Sequence, residues 1–350
     1  MGHFDSSLPL ESARTIPSDW YTDPAIYQRE RTAVFGHSWQ CVGRADQVRK
    51  PGEFLTAEIA GEPVAAVRGN DGVLRGFFNV CRHRAAPVLN EESGCVGKLR
   101  CRYHGWTYDL AGKLVGTPEF EGVCNFEKSE QGLVPVGAVQ EAGGFVWVHL
   151  AETDGLVETE FPEFLAVPFP NQLQFHARRV YEVDCNWKVY IDNYLDGGYH
   201  VNTVHPALAG AIDYKEYRTE TFARSSVQTS PLKDTSGSVG ITRTGQAAYW
   251  WLYPNFMVNS YSGVLDTNLV LPINVHRCRV VFDFYFGSEH DPAFREASIR
   301  VADTVQEEDR IISEQVQRGL GSRSYSTGRF SVKREAGGFH FHRLLAAALS

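Results

Sequence analysis

Two short stretches of the chain combine cysteine and histidine at metal-ligand spacing. Cys81 and His83 form one pair, Cys101 and His104 form the other, and 17 residues separate the pairs. Each pair follows a segment with strand-like patterning, so two neighbouring loops could supply two ligands each. Two thiolates and two imidazoles suit a tetrahedral zinc ion, or a [2Fe–2S] cluster in which two histidines replace two cysteines on one iron. The spacing alone leaves both possibilities open, although zinc motifs usually pair Cys with Cys and His with His.

Two further histidines lie five residues apart in the second half of the chain. An ideal helix would place His200 and His205 about 140° apart around its axis, which is too far for both to bind one ion. Gly197 and Gly198 disfavour a regular helix just before them, and Pro206 disfavours helical geometry at His205. A broken helix of this kind would allow both imidazoles to face one metal ion.

A carboxylate about a hundred positions later is the candidate third ligand. The helix predicted from Ala293 to about Leu320 has an apolar stripe, and Asp309 occupies a position on that stripe. A carboxylate facing the core is costly unless it is paired or binds a metal ion. Two histidines and one carboxylate form the facial triad of non-haem Fe(II) oxygenases. There are two alternatives: an arginine, Arg310 or Arg318, pairs with this carboxylate, or Glu308 faces inward instead.

The composition limits the classes of function. The 350 residues are 43% hydrophobic and 22% charged, which fits a packed chain of one large or two smaller domains. The formal net charge of -8 argues against nucleic-acid binding, which draws its affinity from phosphate neutralisation. No run approaches the roughly 18 apolar residues of a membrane-spanning helix, and the first ten residues lack a signal-peptide layout. We therefore expect a cytoplasmic protein that binds neither nucleic acid nor membrane.

The pattern of apolar residues and turns predicts an α+β protein in four parts. Helical spacing predicts an N-terminal arm over residues 1–40, and short runs with glycine turns predict an all-β domain over 41–150. An acidic stretch with three prolines over 151–178 predicts a linker without helix or central strand. Strands flanked by helices over 179–350 predict an antiparallel sheet domain, on which we expect the arm to pack. Within that domain, the polar region Ser225–Gly245 is predicted to be a loop.

The cysteine and histidine motifs resemble those of a known enzyme family. The stretches CRHR and CRYHGWTYD are similar to the Rieske motif in the α subunits of ring-hydroxylating and amine-hydroxylating oxygenases. Further segments are similar to the choline monooxygenase and quaternary-amine branch of that family, at residues 253–259, 266–272, 280–284, 305–309 and 316–322. The resemblance implies an all-β Rieske domain followed by a helix-grip catalytic domain.

The same resemblance assigns the candidate ligands to two metal centres. It implies that Cys81 and Cys101 bind one iron of a [2Fe–2S] cluster and that His83 and His104 bind the other. It also implies one mononuclear Fe(II), bound by His200, His205 and Asp309. Members of the family would form a homo-oligomeric ring, a trimer or hexamer, in which electrons pass from one subunit's cluster to its neighbour's iron.

Electron delivery requires a partner and a bridge. The chain has no G-x-G-x-x-G fingerprint, so NAD(P)H would act indirectly through a separate flavin or iron–sulfur reductase. We hypothesise that Arg82, Arg84, Arg100 and Arg102 dock an acidic reductase; alternatively they are solvated charges or subunit contacts.

A bridging carboxylate between the cluster and the iron is not obvious in the sequence. Much of the wider family has an aspartate three residues before the first iron histidine, where this chain has Gly197. Asp196 is the first candidate for the bridge and Asp192 the second. The alternative is that Asp196 only orients His200 within its own chain.

The resemblance implies a terminal oxygenase that uses O2 to hydroxylate or oxidatively demethylate a small quaternary ammonium compound, such as choline, betaine or carnitine. Aromatic side chains of the catalytic domain could surround the cation. The candidates are Tyr194, Trp250, Trp251, Tyr253, Phe256, Tyr261 and Phe284. An aromatic ring-hydroxylating dioxygenase or aromatic demethylating monooxygenase is the alternative, because a slot for a planar ring uses the same residue types. A Rieske electron-transfer protein without catalysis is a third possibility, against which the second set of ligands argues.

Overall fold

The computed structural model describes residues 2–167, 173–205, 212–233, 245–261 and 263–350. The chain divides into two compact units. One unit comprises Phe35–Leu165, and the other combines Met1–Val34 with Ala166–Ser350. The N-terminal segment therefore belongs to the same unit as the C-terminal half of the chain.

The N-terminal segment is helical, as its spacing predicts. It contains α1 (Asp19–Thr22), α2 (Pro24–Glu30) and a π-helical turn (Arg31–Phe35). The Asp23 side chain caps α2 by accepting a hydrogen bond of 2.8 Å from the Ala25 amide. Buried Glu30 accepts hydrogen bonds from Lys188 Nζ at 2.6 Å and from Trp187 Nε1 at 2.9 Å. This charged pair fastens the N-terminal segment to the C-terminal half of its unit.

The unit over Phe35–Leu165 is built from short antiparallel strands. They are β1 (Gln40–Arg44), β2 (Glu53–Ile59), β3 (Glu62–Arg68), β4 (Leu74–Phe78), β5 (Ser93–Cys95), β6 (Leu99–Arg100), β7 (Thr107–Tyr108), β8 (Leu114–Gly116), β9 (Ala138–Ala142) and β10 (Phe145–His149). Three sheets result, in the orders β1-β10-β9, β4-β3-β2-β5 and β6-β7-β8. Ala60 and Gly61, both with positive φ, form the two-residue turn between β2 and β3.

Part of the segment predicted to be an irregular linker is helical. The structure contains α3 (Val157–Glu160) and α4 (Pro162–Leu165), and both lie in the all-β unit. Pro162 begins α4, where the missing amide hydrogen costs no helical hydrogen bond. The side chains of Phe161 and Phe164 are completely buried, so apolar packing rather than helix propensity holds this stretch. Residues 168–172, which include two of the three prolines, lie outside the described residues.

The other unit contains a seven-stranded antiparallel sheet with the order β11-β17-β16-β15-β14-β13-β12. Its strands are β11 (Gln174–Val183), β12 (Arg218–Thr221), β13 (Ser225–Pro231), β14 (Gln246–Leu252), β15 (Phe256–Tyr261), β16 (Val264–Asn274) and β17 (Arg277–Phe286). A row of directly paired residues crosses the sheet: Gln228, Tyr249, Asn259, Asp266 and Phe284. Because successive side chains alternate between faces, all five members of this row point to the same face.

Four helices accompany the sheet in the described ranges. They are α5 (Trp187–Tyr194), α6 (Val201–Val204), α7 (Pro292–Leu320) and α8 (Ala336–Ala348). Asn186 caps α5, and Asp291 caps α7 by accepting a 2.8 Å hydrogen bond from the Phe294 amide. Helix α5 contacts both α7 and β16, so it lies between the long helix and the sheet. None of the helices in the described ranges combines the length and the hydropathy needed to cross a bilayer.

Two predictions about this unit were wrong in detail. The polar stretch Ser225–Pro231 is a strand rather than a loop, and most of its side chains are buried; Gln228 and Ser230 form hydrogen bonds there, whereas the hydroxyls of Ser225 and Ser226 form none with the described residues. The buried face of α7 is also more polar than the predicted apolar stripe. Val316 is 45% exposed, whereas the buried positions are Ser298, Ile299, Gln306, Asp309, Ser313, Gln317 and Leu320. Asp309 nevertheless faces inward, as predicted.

Candidate metal centres and substrate cavity

The two Cys/His loops of the all-β unit have the same backbone geometry. In the first, the Ala85 amide donates to the Cys81 carbonyl at 3.0 Å, and in the second, the Gly105 amide donates to the Cys101 carbonyl at 3.1 Å. Ala85 and Gly105 both have positive φ, of 59° and 73°. Each loop thus turns sharply one or two residues after its histidine, and presents one cysteine and one histidine. The two cysteines are buried, His83 is half-buried, and His104 is exposed.

These four side chains converge. The imidazole rings of His83 and His104 have centroids 4.6 Å apart, and the Trp106 indole stacks on His83 at 4.9 Å. Burial raises the pKa of the Cys101 thiol, and the neighbouring Cys81 thiol raises it further. His83 Nδ1 is buried without a hydrogen-bond partner. Buried thiols beside an unpartnered imidazole nitrogen form a donor set that fits a [2Fe–2S] cluster with mixed Cys and His ligation.

Tyr108 supports the first of these loops, although the sequence analysis did not single it out. The Arg82 amide donates to the Tyr108 hydroxyl at 3.0 Å, which leaves the hydroxyl hydrogen free to point at Cys81 Sγ, 3.4 Å away. Tyr108 is fully buried. A hydrogen bond of this kind to a cluster sulfur is one of the means by which proteins set a cluster's reduction potential.

In the other unit, the three predicted ligands of the second centre meet. His200 Nε2 lies 3.0 Å from His205 Nε2, and His205 Nε2 lies 3.1 Å from Asp309 Oδ1. The remaining separation, between His200 Nε2 and Asp309 Oδ1, is 3.7 Å. Ligand atoms at about 2.1 Å from one ion and at right angles to each other lie about 3 Å apart. The three atoms are therefore spaced as one face of a metal coordination sphere.

Hydrogen bonds to their neighbours decide which atoms the two histidines present. His200 Nδ1 lies 2.5 Å from Asp196 Oδ2, and His205 Nδ1 lies 2.7 Å from Glu308 Oε2. Each Nδ1 therefore carries a proton, so in the neutral rings both Nε2 atoms are acceptors that face the Asp309 carboxylate. Three convergent acceptors repel one another unless a cation lies between them. The donor set consequently fits a divalent metal ion.

The charge of the surrounding carboxylates favours a cation at this point. Burial alone would lower the pKa of His205, but the hydrogen bonds and negative charges of Asp309 and Glu308 outweigh burial and raise it. Asn193 Nδ2 donates to Asp309 Oδ1 at 2.6 Å and holds that carboxylate in place. The alternative pairing with Arg310 is wrong, because Arg310 binds Glu307 and Glu314 instead. Glu308 was considered only as a competitor of Asp309, yet it supports the neighbouring ligand.

The local backbone explains how histidines five residues apart reach one point. Helix α5 ends at Tyr194, and Gly197 and Gly198 follow with φ of 69° and 71°. His205 ends the short α6 with a non-helical φ of -117° and ψ of 73°. The double glycine and the extended residue together reorient both rings, as the sequence predicted. Pro206 itself lies outside the described residues.

A cavity opens onto the three candidate ligands. Its aromatic lining is formed by Tyr190, Tyr194, Tyr217 and Tyr249. Its polar lining includes Asn193, Gln228, Asn259, Asn268 and Gln306. Tyr217 and Tyr249 stack with ring centroids 6.3 Å apart. The Tyr194 hydroxyl shares its one hydrogen between two acceptors, Asn259 Oδ1 at 2.7 Å and the Trp250 carbonyl at 3.0 Å. No Lys or Arg occurs among the described residues that line the cavity.

The structure corrects the predicted aromatic lining. Of the seven candidates only Tyr194 lines the cavity. The side chains of Trp250 and Phe256 point to the opposite face of the sheet. Each is separated by an odd number of residues from the member of the row on its own strand, Tyr249 or Asn259, and side chains alternate between faces. The other four pack elsewhere in the core: Trp251 on Phe341, Tyr253 on Arg224, Tyr261 on Asp266 and Phe284 on Phe282.

Several lining residues were not predicted from the sequence. Tyr217 lies in a loop, and Gln228 lies in the strand that was predicted to be irregular. Strand alternation gives a partial signal: residues 247, 249 and 251 share one face of β14 and Trp250 lies on the other, so Tyr249 and Trp250 are not both expected to line one cavity. The sequence does not indicate which of the two faces is the inner one.

Comparisons with known proteins agree with this arrangement. The family described as "Rieske [2Fe-2S] domain" matches residues 38–127, and "Ring hydroxylating alpha subunit (catalytic domain)" matches residues 170–350. The chain is 40% identical to the chloroplastic choline monooxygenase of Arabidopsis thaliana over 98% of this chain and 84% of that protein. The chain is a Rieske-type non-haem iron oxygenase. The α+β fold class, with a Rieske domain followed by a catalytic domain, is confirmed.

Other relatives place this oxygenase among enzymes named for quaternary ammonium substrates. It is 31% identical to the carnitine monooxygenase oxygenase subunit of Escherichia coli K12, over 96% of this chain and 94% of that protein. It is similar to the crystal structure of the quaternary ammonium Rieske monooxygenase CntA with L-carnitine, with a TM-score of 0.88, 29% identity and full coverage of both chains. Naphthalene 1,2-dioxygenase of Rhodococcus sp., at 19% identity and a TM-score of 0.80, shares the fold.

The oxygenase departs from the wider family's pattern at Gly197 for a steric reason. A Cβ atom at this position would lie 2.1 Å from the Arg334 carbonyl oxygen, and the φ of 69° disfavours any side chain. An aspartate therefore cannot stand there without moving the backbone. Asp196, one residue earlier, contacts His200 Nδ1, whereas Asp192 binds Tyr21 at 2.5 Å and His342 at 2.8 Å.

We predict that the two centres of this oxygenase can be emptied independently. His205→Ala removes one Nε2 ligand and should reduce the iron content from about three to about two per chain, with two acid-labile sulfides retained. His276→Ala, a half-exposed histidine away from both centres, is the matched control. Metal and sulfide analysis with the visible spectrum of the cluster measures the outcome. Loss of the sulfide together with the third iron would contradict the assignment.

Proposed function

We propose that the protein is the terminal oxygenase component of an enzyme that hydroxylates or oxidatively demethylates a small quaternary ammonium compound such as choline, betaine or carnitine. The observation that carries this proposal is the cavity beside His200, His205 and Asp309, which tyrosine rings line and which has no basic side chain among its described lining residues. Faces of aromatic rings attract quaternary ammonium groups. The names of the relatives, choline and carnitine monooxygenases, point to the same chemistry.

Each group of residues has a defined part in this proposal. His200, His205 and Asp309 would hold one Fe(II), which supplies the activation of dioxygen when it is bound. The stacked rings of Tyr217 and Tyr249 would bind the ammonium group and direct its methyl or methylene carbons toward the three ligands. The hydrogen bonds of Asp196 and Glu308 keep both imidazoles fixed during turnover.

A single turnover tests the proposed reaction. The purified protein is reduced chemically without oxygen, mixed with choline, betaine, carnitine and aromatic acids, and then exposed to oxygen. We expect one ammonium compound to gain one oxygen atom or lose one methyl group, because the lining favours a cation. Mass spectrometry of the products measures this. Addition of two oxygen atoms to an aromatic acid would show instead that the tyrosines form a slot for a planar ring.

We further propose that electrons reach the iron site through Asp196. The support is its 2.5 Å contact with His200 Nδ1 and its Oδ1 atom, which accepts one hydrogen bond, from the Tyr199 amide, and can accept another. One solved structure of CntA is described as giving insight into inter-subunit electron transfer. By analogy, the donor would be the cluster of a second copy of this chain in a homotrimer or hexamer. A monomeric enzyme in sedimentation experiments would contradict this route.

Asp196→Asn is predicted to slow electron transfer without emptying the iron site. The amide oxygen of Asn can still accept a hydrogen bond from His200 Nδ1, but the negative charge is lost, so we expect the cluster to be reoxidised about tenfold more slowly. Rapid-mixing absorbance after addition of substrate and oxygen measures the rate. Asp192→Asn is the control, since Asp192 bonds to neither histidine ligand. An unchanged reoxidation rate in iron-loaded Asp196→Asn would contradict this electron route and leave Asp196 only an orienting role.

We propose that a separate NAD(P)H-dependent flavin or iron–sulfur reductase docks on the exposed arginines of the cluster loops. Arg82, Arg84, Arg100 and Arg102 are all exposed and surround the buried cysteines, although Arg102 also pairs with Glu91. Opposite charges accelerate association of two proteins.

The reductase proposal predicts a dependence on ionic strength. The rate constant for cluster reduction should fall as salt rises, and Arg84→Gln should lower it at low salt, because screening and charge removal weaken the same attraction. Stopped-flow absorbance of the cluster measures both effects. Arg218→Gln, an exposed arginine in the other unit, is the control. A reduction rate that does not respond to salt would count against docking through these arginines.

A further inference from the structure

We propose that Asp266, buried directly behind the cavity wall, supplies the negative charge by which the site selects a cationic substrate. The inference rests on the proposed function and deepens it: Asp266 touches no substrate, and acts through the residues that do. Nothing in the reaction chemistry requires this carboxylate, and it is not among the candidate metal ligands.

The position of Asp266 follows from strand register. It lies on β16 directly opposite Asn259 of β15, within the row of residues that crosses the inner face of the sheet. Asn259 and Asn268 both line the cavity, and both amides donate to Asp266 Oδ1 at 2.8 Å. The Tyr261 hydroxyl donates to Asp266 Oδ2 at 3.0 Å. The carboxylate is 3% exposed, and these three hydrogen bonds stabilise its ionised form.

The hydrogen bonds of Asn259 orient its amide dipole between Asp266 and the cavity. The amide nitrogen of Asn259 points back to Asp266, so its amide oxygen points forward and accepts a hydrogen bond of 2.7 Å from Tyr194. The negative end of the amide dipole is thus turned to the side where the substrate binds. A phenol that donates a hydrogen bond also has a more electron-rich ring, which strengthens its attraction for a cation.

Asp266 is connected to Tyr194 in the cavity wall through Asn259, which forms hydrogen bonds with both side chains. The pKa of Tyr194 is raised well above its ordinary value by burial, and repulsion from Tyr217 and Asp266 adds to that effect. Negative charge at this wall opposes a second negative charge and stabilises a positive one. Asp196 and Asp309 are the carboxylates among the described residues that line the cavity itself, and each contacts a candidate histidine ligand, so their charges serve the metal centre.

Choline and its carbon isostere 3,3-dimethylbutan-1-ol separate charge from shape. The two molecules have the same branching and the same hydroxyl, but only choline is charged. Titration calorimetry of the iron-loaded enzyme under nitrogen gives both dissociation constants without turnover. We expect the wild-type protein to bind choline at least about tenfold more tightly than the isostere, since a buried charge acts at low effective dielectric. Equal binding of the two would overturn the proposal without any variant.

Asp266→Asn is the decisive variant, because it keeps the shape of the side chain and one oxygen that accepts from both asparagine amides, replaces the other oxygen by an NH2 donor, and removes the charge. The Tyr261 hydroxyl can accept a hydrogen bond from the new NH2 group, so Asp266→Asn should weaken choline binding about tenfold and change binding of the isostere by less than about twofold. Asp283→Asn is the matched control: it removes a buried carboxylate from the opposite face of the same sheet and should leave the choline affinity unchanged. The visible spectrum of the cluster and the iron content confirm that each variant is folded.

The outcomes distinguish this inference from the proposed function. If Asp266→Asn binds choline as the wild-type protein does, or loses both ligands equally, the role of Asp266 is overturned while the oxygenase function stands. If the wild-type protein binds no quaternary ammonium compound, the proposed function fails and the inference fails with it.

Discussion

The structure of the catalytic unit depends on three acceptor atoms held close together. His200 Nε2, His205 Nε2 and Asp309 Oδ1 lie 3.0 to 3.7 Å apart, a spacing that is unfavourable without a cation. Two features of the fold enforce it. The broken segment after α5 brings both histidines to one point, and the long α7 delivers the carboxylate on a buried face that is mostly polar. Asp196, Glu308 and Asn193 then fix the three groups by hydrogen bonds.

The sheet places buried polar side chains on the opposite side of the cavity. Its inner face must be buried and yet present polar groups to a small substrate, so Gln228, Asn259 and Asn268 stand where an ordinary core would have apolar side chains. Each of these amides is satisfied by a neighbour: Gln228 donates to the Tyr194 carbonyl, and both asparagines donate to Asp266. This network holds the cavity wall in one conformation. It also places polar residues in the strands, which makes them harder to recognise in the sequence.

The polar inner face of the sheet explains why the cavity lining was harder to predict from the sequence than the metal ligands. The Cys/His loops, the iron ligands and the long helix depend on residue types and local spacing, so they could be predicted from the chain alone. The cavity lining could not. Trp250 looks like a better cage residue than Tyr249, but a shift of one position reverses the face of a strand, and only the packing of α5 against β16 decides which face is inner. Strand Ser225–Pro231 was missed because most of its residues are polar, and strand prediction from a sequence depends on alternating apolar residues.

Gly197 imposes one structural constraint on the candidate iron site. Its positive φ is what turns the chain out of α5 so that His200 can face His205, and the Arg334 carbonyl occupies the space of any side chain there. A carboxylate at that position and this route of the backbone are therefore mutually exclusive. Asp196 precedes the turn, at the position from which its carboxylate accepts hydrogen bonds from both the His200 amide and Nδ1. In this chain, the backbone geometry that brings the candidate iron ligands together leaves Asp196, and not position 197, to place a carboxylate beside His200.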